Sequence, residues 1–312
     1  MDFRQLEAFI RVVEQASFTK AADDMHISQP SVSTYITALE KELETVLINR
    51  STKVMSTTLA GERFLEKAKE MMAIKRESVE MLKKLTGDIS GEIRVLASSV
   101  PALYILPKIF AGFHALYPSI TFKMSQADTS EVVQGISSFK ADLGFAGSTL
   151  ADKKCEFVEF ADETLVFIAP NNGKYLERKK YRLDELLYSN SFISREVGSG
   201  TRIQYEKYFT ENGIVLHKIK TCASMDSTHS IINAVIGGLG ISIVSELAVS
   251  QMIEHKLLMR INLVNNLPKR KLYMVFGENI VHSHLVKHFV EYVKNTPFQN
   301  NTKDVKNKSR RK

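Results

Sequence analysis

Two serines place the tightest constraint on how this chain can fold. Between Ala16 and Glu40, Ser17 and Ser28 each stand where a hydroxyl can cap a helix start, with Ala21, Ala22 and Met25 following the first and Val32, Tyr35, Ile36 and Leu39 following the second. Pro30 falls in the first turn of the second helix, where the N–H it lacks would be unpaired in any case. Upstream, Leu6, Phe9, Ile10 and Val13 recur at helical spacing; downstream, residues 46–58 are short, polar and β-branched around Arg50 and Lys53, as in a small hairpin. The pattern predicts a winged helix-turn-helix over residues 1–58.

Such a unit offers the start of its second helix to a DNA groove, because the unpaired N–H groups and partial positive charge there attract phosphate. Ser28, Ser31, Ser33 and Thr34 supply short hydroxyls, Gln29 can pair with adenine, and Pro30 and Tyr35 complete the face. Arg50 and Lys53 are candidates for backbone or minor-groove contacts. A plainer reading, that Ser28 and Pro30 only start a helix, is compatible with this one. Bulk charge does not carry the argument. Of the net charge of +7, +5 sits in residues 301–312, whereas residues 1–58 hold six cations against eight anions. The tail from Asn300 reads as disordered, its cations aiding solubility or non-specific attraction to DNA.

At 312 residues the chain calls for two or three folded units. No apolar signal segment follows Met1, and the most apolar stretch, residues 231–249, is broken by Gly237, Gly238, Gly240 and Glu246, so a cytoplasmic protein without a membrane span is expected. Cys155 and Cys222 are isolated in sequence, which fits a reducing compartment.

From Leu59 to about Thr86 a proline-free helical pattern spans roughly 40 Å at about 1.5 Å per residue. Leu65, Met72 and Val79 lie seven apart, with Ala68 and Leu82 on the intervening seam and Lys75 interrupting it, so this helix is expected to pair with a copy of itself. The alternative is a surface helix packed on its own chain. Beyond a linker at residues 87–91, strands and helices alternate: strands at 93–97, 120–125, 142–146, 157–169, 191–194, 219–223, 240–244 and 273–276, with a last helix at 285–293. The expectation is an α/β domain over 87–298 with mostly parallel sheets. Its chain crosses near Asp162 and returns near Leu267, giving lobe I about 91–161 and 268–298 and lobe II about 162–267.

In this order of units, the chain resembles a LysR-type transcriptional regulator over residues 1–298. The motifs that carry the likeness are Phe3-Arg4-Gln5-Leu6-Glu7-Ala8-Phe9, Ser17-Phe18-Thr19-Lys20-Ala21-Ala22, Ser28-Gln29-Pro30-Ser31-Val32-Ser33 and Ala38-Leu39-Glu40, with Arg50, Thr58, Ala60 and Gly61 at the wing and its exit. Thr34 and Tyr35 stand where such proteins often carry Arg or Gln, so base preference is not inherited; Ile48 and Thr57 are packing departures. The resemblance implies a ligand-responsive homodimer through the long helix, tetramers that bend promoter DNA, RNA polymerase as a further partner, and no catalytic activity or cofactor. It also implies a periplasmic-binding-protein-like effector domain with a small molecule between its lobes. The segment from Glu196 to Arg202 resembles the sulfur- and selenium-linked branch, whose members sense inorganic or small sulfur compounds.

Ligands of open α/β sheets collect beyond the carboxyl ends of strands. Here those ends carry Ser98-Ser99, Ser199-Gly200-Thr201-Arg202 and Ser227, with Thr129, Gly147 and Ser148 on neighbouring ends. Hydroxyls beside helix starts suit a small anion, and Arg202 would add charge if it pointed inward. Plain helix capping is the rival for each. An enzyme or a stand-alone solute receptor is the rival for the whole: Gly237-Gly238-Leu239-Gly240 lacks dinucleotide spacing, and His282, His284 and His288 do not share one helix face.

Overall fold

The computed structural model describes residues 1–49, 55–85, 90–152, 154–175, 179–277 and 283–296, without the side chains of 77, 80, 81 and 83–85. Arg50, Lys53, His282, most of the 87–91 linker and the 299–312 tail lie outside them. Two compact units emerge, one built on residues 1–89 and the other on most of the remainder.

In the first unit, α1 (Phe3–Gln15) begins in a capping box: Asp2 accepts from the Gln5 N–H while the Gln5 side chain accepts from the Asp2 N–H. Ser17 caps α2 (Phe18–Met25) and Ser28 caps α3 (Gln29–Glu42). Neither α1 nor α2 ends on glycine; Ala16 and His26 take the left-handed conformation instead. Leu6, Phe9 and Val12 of α1 meet Ala21, Ala22, Val32, Ile36 and Leu39 in one core. The wing pairs β1 (Ile48–Asn49) with β2 (Ser56–Thr57) antiparallel, anchored where the Glu40 carboxylate accepts the N–H groups of Leu47 and Ile48 at 2.9 and 3.1 Å. Thr58 then accepts from the Gly61 N–H at 3.0 Å as α4 (Leu59–Leu85) begins. A Cβ at Gly61 would stand 2.1 Å from the Leu47 carbonyl oxygen, so only glycine lets the helix pass the wing this closely.

The seam expected along α4 divides in two. Ala68 is buried, and Phe64, Leu65, Met71 and Met72 pack on the core of their own unit, with Phe9 and Phe64 ring centroids 5.6 Å apart. Farther along, Ile74, Val79 and Leu82 are exposed.

The second unit starts with β3 (Gly91–Ala97), a π-helical turn at Pro101–Ile105, α5 (Leu106–Leu116), β4 (Ile120–Gln126), α6 (Thr129–Ser137) and β5 (Leu143–Ala146). The 16-residue β6 (Cys155–Pro170) runs without a break through the expected crossing near Asp162. Lobe II follows with α7 (Leu183–Ser189), β7 (Phe192–Arg195), α8 (Gly200–Glu211), β8 (Thr221–Met225), α9 (Thr228–Ile236), β9 (Ser242–Ser245), α10 (Glu246–Glu254) and β10 (Leu258–Ile261). β11 (Lys269–Gly277) returns, and α11 (His284–Asn295) closes lobe I, Phe289 meeting Phe113 at 5.0 Å between centroids.

The strand order is β10-β6-β11-β5-β3-β4, with β9 also on β6 and β7 paired with β8. β3–β4, β3–β5 and β7–β8 are parallel, but every pairing made by β6 and β11 is antiparallel. The sheets are therefore mixed, which corrects the mostly parallel expectation. A chain that crosses between lobes and comes back must lay its two crossing strands side by side in opposite directions. Alternation along β6 builds lobe II on two faces: Leu165, Phe167 and Ala169 face Tyr205 and Phe209 of α8, whereas Val166 and Ile168 face Ile231, Ile232 and Val235 of α9.

Candidate functional site

Carboxyl ends of β3, β4, β5 and β7 converge with the crossing strands on one small cavity of about 20 Å³, lined by Ser98, Ser99, Asp128, Thr129, Gly147, Arg195, Glu196, Ser199, Gly200, Thr201 and Arg270 among others. That is room for one or two water molecules. The two lobes touch by backbone: a Cβ on Gly200 would stand 3.1 Å from the Gly147 carbonyl carbon and 2.9 Å from Thr129 Oγ1.

Four buried side-chain atoms among the described residues have no hydrogen-bond partner: Thr129 Oγ1, Ser148 Oγ, Glu163 Oε1 and Arg270 Nη1. All belong to this neighbourhood. Register places Arg270 opposite Glu163 on the β6–β11 ladder, and its Nε donates to Glu163 Oε2. Its Nη2 donates to Thr201 Oγ1 at 3.2 Å, while the unpaired Nη1 lies 3.2 Å from where a Gly147 side chain would begin. Both partners are nearly inaccessible, at 4% and 0% side-chain exposure, so the spare donor and acceptor have no bulk water to turn to. Ser199 leaves α8 without a side-chain cap, and Ser199, Gly200 and Thr201 at the start of that helix line the cavity.

A second buried arginine flanks the cavity. Arg195 holds both Glu196 oxygens at 2.7 and 2.8 Å and is pinned from behind by Thr228 Oγ1 and the Asp226 carbonyl. Asp128 caps α6 through Oδ1, which accepts the Glu131 N–H at 2.8 Å.

Of the residues anticipated for an effector, Ser98, Ser99, Thr129, Gly147, Ser199, Gly200 and Thr201 come together at the cavity, with Ser148 buried beside them. Arg202 and Ser227 do not. Arg202 pairs with Glu206 one helical turn on and donates to the Arg195 carbonyl, and the Ser227 hydroxyl is spent capping α9. The cations that do reach the cavity, Arg195 and Arg270, were not anticipated. Arg270 sits mid-strand, and only the β6–β11 register brings it opposite Glu163; nothing in its immediate sequence marks it.

On the winged unit, Ser28, Gln29, Pro30 and Thr34 are exposed and Ser31, Ser33 and Tyr35 half-buried. Their hydroxyls are partly engaged: Ser28 accepts from the Ser31 N–H at 3.3 Å and meets Ser31 Oγ at 2.8 Å, and Thr34 donates to the Pro30 carbonyl at 2.9 Å. Tyr35 packs its ring against the core. Gln29 is left as the exposed long side chain of the α3 start.

Family models match both units: a bacterial regulatory helix-turn-helix of the lysR family over residues 3–62 and a LysR substrate binding domain over residues 86–297. The chain belongs to the LysR family. The HTH-type transcriptional regulator CysL of Bacillus subtilis is 32% identical over 272 residues, covering 87% of this chain and 90% of that protein. The transcriptional activator CmpR of Synechocystis is 30% identical over 241 residues, covering 77% and 78%. Among solved structures, CbnR bound to its target DNA superposes with a TM-score of 0.66 at 23% identity over 94% of this chain and 99% of that one. A full-length OxyR variant from Pseudomonas aeruginosa gives 0.70 at 18% over 95% and 99%. As a LysR-family member this is a DNA-binding transcriptional regulator with an effector-binding domain. No described helix is long and apolar enough to cross a membrane.

Proposed function

We propose that this LysR-family regulator reads promoter DNA through the start of α3 and the wing, and that a small oxyanion-bearing effector held between its lobes modulates that binding. The observation that carries the effector reading is that Arg270 Nη1 and Thr129 Oγ1, both buried and unpaired among the described residues, belong to residues lining one cavity with the uncapped start of α8, and that Ser148, next to the lining Gly147, carries a further such atom. Buried polar atoms in natural proteins are nearly always paired, by protein, by ordered water or by a ligand, so these atoms mark where a ligand's oxygens would find partners. The exposed Ile74, Val79 and Leu82 of α4 support pairing with a second copy, which would set two recognition helices on a partly palindromic operator. A protein that acts on promoter DNA is expected to work in the cytoplasm. The likeness of residues 196–202 to the sulfur-linked branch makes sulfate, thiosulfate and selenite natural probes.

Thr129→Val on the full chain tests the site. Swapping an unsatisfied hydroxyl for a methyl of similar shape should leave the ligand-free protein as stable or more stable, within about 1 kcal/mol, while weakening the thermal shift given by an oxyanion panel that also includes simple carboxylates. A variant that loses stability yet keeps every ligand shift would make the hydroxyl structural and sink the assignment. Gel shifts on DNA flanking the gene, with Gln29→Ala beside the unmodified chain, test the α3 face.

A further inference from the structure

Charge around the cavity does not favour a simple anion. Two cations, Arg195 and Arg270, line it against two carboxylates, Asp128 and Glu196, and Glu163 stands directly behind Arg270. Glu196 neutralises Arg195 and Glu163 neutralises Arg270, which leaves Asp128 as the surplus, a net of −1. Asp128 Oδ1 is committed to the Glu131 N–H, but Oδ2 takes no hydrogen bond among the described residues and lies 2.8 Å from where a Gly198 side chain would begin. That glycine has φ +94°, so the loop brings bare backbone, not a side chain, up to the free oxygen.

Building on the effector site argued above, we infer that its occupant is a small zwitterion, an α-amino acid, and not an anion alone. Its carboxylate would take the unspent Arg270 Nη1, the Thr129 hydroxyl and the α8 N–H groups. Its ammonium would take Oδ2 of Asp128, which lines the same small space. A dianion such as sulfate finds donors here but also the half-exposed Asp128 carboxylate, which has no cationic partner among the described residues and repels it. A cavity of about 20 Å³ holds no more than one or two waters, so admitting an α-amino acid requires the Gly147–Gly200 contact to relax on binding.

Calorimetry on the full-length protein, with the proteinogenic amino acids set against their desamino counterparts (alanine against propionate, glycine against acetate) and against sulfate, decides the point. At least one amino acid should bind about tenfold more tightly than its desamino partner and than sulfate. Asp128→Asn keeps an α6 cap, since Asn caps as well as Asp; it should erase that tenfold preference while leaving propionate, acetate and sulfate unchanged or stronger. Sulfate or a desamino acid binding best, or Asp128→Asn weakening both classes alike, overturns the zwitterion while the effector site survives, provided Thr129→Val abolishes the binding seen. Silence from every probe overturns both.

Discussion

Glu163 and Arg270 are the residues on which the second unit has most at stake. Each sits almost wholly out of water, each has one polar atom satisfied by the other, and each retains one that is not. Removing one partner strands the other, so Glu163→Ala should cost about 3–5 kcal/mol of stability in urea unfolding; a loss below about 1 kcal/mol would show that water reaches the pair after all. Cys155 is the opposite case, a group whose chemistry is suppressed. Burial is the main influence that pushes its thiol above the ordinary value, partly offset by a 3.2 Å contact with Ser137 Oγ, and the charge of Asp152 pushes the same way as burial. A raised pKa keeps the protonated form through neutral pH, and thiolate appears only as pH climbs past the shifted value. Iodoacetamide at pH 7 should therefore label exposed Cys222 well before Cys155, and the Cys155 rate should keep rising at pH values where an ordinary thiol has levelled off. Equal rates at neutral pH would contradict this.

At the scale of elements, α4 shows how one helix serves two partners in succession. Its first turns belong to the winged core through Phe64, Leu65 and Ala68, which is why the seven-residue spacing begins before any second copy is needed. Its later turns leave Ile74, Val79 and Leu82 at 54%, 48% and 59% exposure, with nothing of their own unit to cover them. Burying a Leu or Val side chain is worth about 1.5–3 kcal/mol. Leu82→Asp should then weaken self-association by at least about tenfold in sedimentation equilibrium without lowering helix content, because the side chain supports nothing within its own protomer. An unchanged association constant would move the dimer contact elsewhere. The same division explains Lys75, whose ammonium lies 4.7 Å above the Phe3 ring: the residue that broke the expected seam is packed on its own domain.

For the whole molecule, DNA affinity has to be assembled from few charges. The winged segment is slightly acidic, and most of the excess positive charge lies in residues 301–312. Deleting those residues should flatten the salt dependence of binding to bulk competitor DNA, each lost phosphate contact lowering the log–log slope by about 0.9, while the preference for promoter fragments persists in anisotropy titrations. Loss of that preference would assign the tail to recognition. Much of this organisation is legible in the chain itself. Caps at Ser17 and Ser28, the apolar spacing of α1 to α3, and the strand ends bearing Ser98, Ser99, Thr129 and Ser199 all follow from interactions within a few residues, which local sequence records. Arg202 shows the complementary limit: a cation near a helix start looks available until its neighbour Glu206 is seen to hold it. The antiparallel crossing of β6 and β11, the pairing of residues 163 and 270, and the set of atoms left unpaired between the lobes arise from contacts across a hundred residues of chain. Periodicity says which side of a strand a residue occupies, but register and closure decide whom it meets.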